Sequence, residues 1–128
     1  MRFLILTFTL LFTLNSFSQK DARLYDKSFK YDKNIKNNYW LIKADLTEAL
    51  LANYKRKSKN FKDQYYIAYY RPRIYYQLGL LEFKNKNFEY ALENFDNALR
   101  FKNNVESDDG VYQNINKYRT QTLKALKD

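Results

Sequence analysis

The chain has 128 residues, enough for one domain, and carries 23 Lys and Arg against 14 Asp and Glu, a net charge of +9. It contains no cysteine and no histidine, which excludes disulfides, a lipid anchor on cysteine, thiol nucleophiles, the usual zinc ligands and the commonest general base. The expectation is therefore a protein that is not an enzyme and has no catalytic residues, metal site or cofactor. Two glycines and one proline are the only strong helix breakers, which favours helices over sheet.

Residues 1–18 read MRFLILTFTLLFTLNSFS. Arg2 gives a short positive region, 3–14 are apolar, and Ser16 and Ser18 are small residues before a cut, the layout of a secretory signal peptide cleaved before Gln19. The apolar run stops short of the ~20 residues a membrane span needs. The implied address is the periplasm or the exterior of a bacterium. Residues 19–38 are polar, lysine-rich and without clear periodicity, and read as a linker with at most a short helix.

Over 39–57, Ile42, Leu46, Ala49, Leu50 and Asn53 trace one helical stripe, and Trp40, Ala44, Leu51 and Tyr54 trace another. Such a wide apolar arc predicts a helix sandwiched between neighbours. Further helices are expected over 61–71, 72–84, 88–101 and 111–127. Pro72 would open the third of these, since a first-turn residue needs no amide donor. In "VESDDG" (105–110) Val105 breaks the pattern of a calcium loop, so Asp108 and Asp109 read as N-cap candidates for the last helix. Glu89 and Glu93 read as a solvated surface pair, with no partner group for catalysis.

The basic excess is one-sided. Residues 19–73 hold fourteen Lys and Arg against six Asp and Glu, a balance of +8, while 74–128 balance to zero. A half-molecule of that sign favours anionic partners, or serves solubility alone.

Within 72–105 the spacing becomes specific. Tyr75-x2-Leu78-Gly79 precedes Phe88, Ala91-x3-Phe95 and Ala98-Leu99. This resembles the tetratricopeptide repeat, a helix–turn–helix unit with the pattern W-x2-L-G, then A-x3-F, then a small residue. Departures are Glu82 at a usual tyrosine, Lys86 at the turn glycine and Asn103 at the closing proline. Phe61-x3-Tyr65-x2-Ala68 imitates the second helix thirty residues earlier, so 39–71 reads as a degenerate hairpin of the same type. Residues 108–128 read as a capping helix. The implied fold is all-α, a short right-handed stack of antiparallel helical hairpins with about five helices. About three repeats normally stabilise such an array, so a partner or a second copy of the chain could complete it.

The resemblance implies a protein-interaction scaffold whose concave groove would be lined by Arg73, Tyr76, Gln77, Leu80, Phe83 and Lys84. The competing reading packs these residues against the preceding hairpin or the N-terminal segment. The expected partner is a protein or peptide. A different functional class also fits: binding of an anionic envelope polymer or membrane surface by the basic half with Tyr65, Tyr66, Tyr69 and Tyr70. Nucleic acid is not an expected partner of an exported protein.

Overall fold

Four of the five helices of the described residues follow apolar periodicity in the sequence, and the first lies in the segment read as a linker. The structure is a computed structural model that describes residues 19–29, 35–101 and 110–128. We label the helices α1 (Lys20–Ser28), α2 (Ile35–Lys55), α3 (Phe61–Lys84), α4 (Phe88–Arg100) and α5 (Val111–Lys127). Each packs on the next in chain order, and the central α3 also touches α1 and α5. The expected signal peptide and the N-cap candidates Asp108 and Asp109 lie outside the described residues; the N-cap of α5 is Gly110, which has no side chain to donate or accept.

α3 begins where Asn60 Oδ1 accepts the amide of Asp63 at 2.9 Å, an N-cap bond that satisfies one orphan donor. It then runs for 24 residues, about 36 Å, straight through Pro72. The two helices expected on either side of that proline are one. No glycine, asparagine or serine stands between Tyr65 and Ile74 to turn the chain, and buried neighbours hold the helix on both sides. In the turn before the proline, where its ring crowds the carbonyls, the Arg73 guanidinium donates to the Tyr69 carbonyl at 2.8 Å.

α3 ends in a Schellman turn. The amide of Asn87 donates to the Glu82 carbonyl at 2.8 Å and that of Lys86 to the Phe83 carbonyl at 3.0 Å. Lys86 takes φ +62°, the left-handed conformation that glycine adopts without cost. Lys86 thus holds the backbone shape of the turn at the position where the repeat pattern has glycine.

α3 separates two cores. On one face Ile74, Leu78 and Leu81 pack with Leu24 of α1 and with Ile42, Leu46 and Ala49 of α2. On the other, Tyr75 and Tyr76 pack with Ala91, Phe95 and Ala98 of α4 and Ile115 of α5. Leu50 reaches both clusters. Gly79 makes the α3–α4 approach possible: a Cβ there would lie 2.5 Å from Cε1 of Phe95, whose ring is fully buried.

The segment read as a linker supplies α1, which docks through a buried polar network. Asp21 is 1% exposed and lies against Arg56 (3.1 Å) and Asn53 (3.1 Å), while Arg71 Nε donates to Asn53 Oδ1 at 2.7 Å. The Asn53 amide also donates to the Ile67 carbonyl at 3.3 Å, so one asparagine ties α1, α2 and α3 together. With Asp21 paired to Arg56 and the Asn53 amide satisfied, the network avoids the penalty of an unpartnered buried carboxylate.

Candidate functional site

The residues assigned to a groove do not form one open surface. Arg73 is 2% exposed and lies 3.7 Å from the centre of the Tyr69 ring. Tyr76 is buried against Phe95 and Tyr118, and Phe83 meets Tyr118 edge-on at 5.5 Å. Leu80 packs on the same cluster of α3, α4 and α5 residues. Gln77, Leu80 and Lys84 line a shallow notch whose other wall is Ser28 and Phe29 of α1. α1 and α5 therefore cover this side of α3, and only Lys84 of the six is exposed. A family position specifies a helix face; it carries no information on whether other parts of the chain cover that face.

Burial governs the phenols that line these cores. It pushes Tyr76 up to about 12, with the neighbouring Tyr118 adding to the shift. Tyr75 is likewise raised to about 12 by burial, aided by its 2.8 Å hydrogen bond with Tyr54. Tyr25 reaches about 12 by burial, opposed by the nearby Arg73. At the far end of α3, Glu82 is 2% exposed and accepts from the Tyr39 hydroxyl at 2.6 Å and from Asn87 at 2.8 Å. Lys43 donates to that hydroxyl at 3.1 Å, which with the Glu82 carboxylate at 3.2 Å holds the ammonium above its usual range. These are closed, satisfied networks, and among the described residues no cluster of carboxylates could hold a metal ion.

Among the described residues, two surfaces stand open. The first is the outer face of α2. Its second apolar stripe, expected to be covered, is exposed: Trp40 at 76%, Leu51 at 53% and Tyr54 at 47%, with Ala44 and Thr47 between them. Leu41 is exposed on its flank. Among the described residues α1 and α3 pack mainly on the opposite side, and only Tyr54, at the C-terminal end of the stripe, meets α3, through the Tyr75 hydroxyl at 2.8 Å and the Arg71 guanidinium 4.0 Å from its ring centre. The C-terminal end of the stripe opens into a hollow of about 680 Å³ lined by Leu51, Ala52, Lys20, Lys55, Lys57 and Lys59. Asp21 and Asp63 at this hollow are already paired with Arg56.

The second surface is a cleft of about 640 Å³ between α1 and α3. α1 contributes Gln19, Arg23, Asp26 and Lys27 on one side; Tyr66 and Tyr70 of α3 form the other wall, with Arg56 beside them. The two tyrosine rings lie 6.3 Å apart and 18° from parallel. Tyr65, assigned to a repeat core position, is instead 52% exposed and stacks on Tyr69 at 6.0 Å, and Phe61 is 90% exposed. Sequence reasoning placed the tyrosines together but missed Arg23, Asp26 and Gln19. Their i, i+3/i+4, i+7 spacing on a helix was the available signal.

No protein-family model, curated protein or solved structure matches this chain. Among the described residues, no helix is long and apolar enough to cross a membrane.

Proposed function

We propose that this protein is an exported helical interaction module of the tetratricopeptide-repeat type that docks a partner protein on the outer face of α2. The carrying observation is the exposed stripe Trp40–Ala44–Thr47–Leu51, continued by the half-covered Tyr54, on a helix whose opposite face is buried. Contiguous exposed apolar surface of this kind marks interaction sites, and an exposed tryptophan is the residue type most enriched among binding hot spots. The repeat reading is supported by the Gly79–Phe95 approach, the left-handed turn at Lys86 and the buried Ala91 and Ala98.

The partner presents an apolar face with acidic flanks. Lys36, Lys55, Lys57 and Lys59 beside the stripe are exposed and have no ion pair among the described residues, whereas Glu48 is the lone unpaired carboxylate there. The same basic excess disfavours a second copy of the chain as occupant. The test is affinity capture from the envelope fraction with the native protein, Trp40→Glu and Leu51→Glu side by side. An acidic protein retained by the native chain and lost with both variants is the expected result; equal recovery by all three contradicts the reading.

A second reading, binding of an anionic envelope polymer, is favoured by the meeting of Arg23, Lys27 and Arg56 with Tyr66 and Tyr70 in one cleft.

A further inference from the structure

The cleft between α1 and α3 is chemically mixed in a way that a site for a bare polyanion is not. Arg56 is held by Asp21 at 3.1 Å and by Asp63 at 3.9 Å, and Lys27 pairs with Asp45 at 3.6 Å. Their charge is largely matched. Arg23 is exposed and has no side-chain partner among the described residues, so one guanidinium fork remains for an anionic group. One turn further along α1, Asp26 offers carboxylate oxygens that accept hydrogen bonds, with no ion pair among the described residues. Gln19 supplies an amide that both donates and accepts. Opposite them stand the near-parallel rings of Tyr66 and Tyr70, large apolar surfaces with a hydroxyl at the tip.

We infer that this cleft binds a short acidic oligosaccharide, a chain of sugar rings carrying carboxylates. The inference rests on the anionic-polymer reading and names its ligand class and site. A polyphosphate or a phosphate-rich lipid surface brings no donors for Asp26 and is repelled by it. A neutral sugar leaves Arg23 without a counter-charge. An acidic sugar meets every group: its carboxylate pairs with Arg23, its hydroxyls donate to Asp26 and exchange hydrogen bonds with Gln19, and its C–H faces cover the tyrosine rings. From Gln19 to Asp26 the helix advances about 10 Å, which suits a segment of disaccharide length. The cleft's volume of about 640 Å³ lies within the range of small-molecule sites.

The experiment is calorimetric titration of the full chain with trigalacturonic acid, maltotriose and tripolyphosphate, repeated with Arg23→Ala, Asp26→Asn and Tyr66→Ala. Arg23 and Asp26 are exposed, so those two variants keep the fold, which circular dichroism verifies. The expected result is binding of trigalacturonic acid alone, weakened about tenfold by each of Arg23→Ala and Asp26→Asn and at least as much by Tyr66→Ala. Tripolyphosphate binding as tightly, and more tightly still in Asp26→Asn, overturns the acidic-sugar assignment and leaves the anionic reading standing. Binding of none of the three overturns both. Trigalacturonic acid binding unaffected by any of the three substitutions overturns the site.

Discussion

Replacing Gly79 by alanine tests the close approach of α3 to α4. In an exposed helix this change stabilises by about 1 kcal/mol, because glycine is the poorer helix former. Here the added Cβ would lie 2.5 and 2.6 Å from two ring carbons of Phe95, against 3.4–4 Å for ordinary contact. Relief requires a shift of about 1 Å, and Phe95 is fully buried between α3, α4 and α5 with no space to swing into. Overpacking of that kind costs about 1–3 kcal/mol, and with the helix-propensity gain of about 1 kcal/mol set against it the net effect is a loss of up to about 2 kcal/mol. For a domain near this size that lowers Tm by up to about 10 °C, read by thermal circular dichroism and urea unfolding. Phe95→Leu, which removes the clashing ring edge, should recover part of the loss in the double variant, with a coupling of about 1 kcal/mol. A Gly79→Ala protein more stable than the native one by the full ~1 kcal/mol of helix propensity refutes the close approach.

Three further outcomes follow from the backbone and the phenols. Lys86→Gly should stabilise by about 1 kcal/mol in urea unfolding, since φ +62° is free for glycine and strained for lysine. Pro72→Ala should stabilise by about 1–2 kcal/mol: the interior helix penalty of about 3 kcal/mol is relieved and about 1 kcal/mol of ring burial is lost. A neutral or destabilising result would mean instead that Pro72 opens a helix of its own. Tyr25, Tyr75 and Tyr76, each raised from 10 to about 12, are neutral in both folded and unfolded states below pH 10. Above it the unfolded chain loses these protons first, so stability falls as pH rises from 10 toward 12. Tyrosinate absorbance should therefore show a late phase that coincides with loss of helical ellipticity; a late phase complete while the helix signal is intact contradicts it.

The helices with strong local signals were readable from the sequence. α4 and α5 follow clear apolar periodicity, and the residues 88–101 and 111–127 expected for them match Phe88–Arg100 and Val111–Lys127 closely. Two other elements depend on distant partners. α1 buries Asp21, Leu24 and Ser28, a face two-thirds polar that looks like linker until Asn53 and Arg56 arrive from more than thirty residues away. Pro72 satisfies the local rule for starting a helix, and only packing on both sides of α3 decides that it sits inside one. The candidate sites fail and succeed for the same reason. Repeat spacing assigned Gln77, Leu80 and Lys84 to an open groove on α3, whereas α1 and α5 pack against these residues and their neighbours. On α2, periodicity found both apolar stripes; it could not show that the described helices cover only one.

Trp40 is the single tryptophan of the chain and is 76% exposed, so its fluorescence reports on the proposed docking face without labelling. The captured partner is titrated into the native protein while Trp40 emission and its quenching by acrylamide are followed. Docking on α2 predicts a blue shift and loss of quenching that saturate with binding, both abolished by Leu51→Glu. A partner that binds at the same affinity while the Trp40 emission stays red and fully quenchable contradicts the assignment.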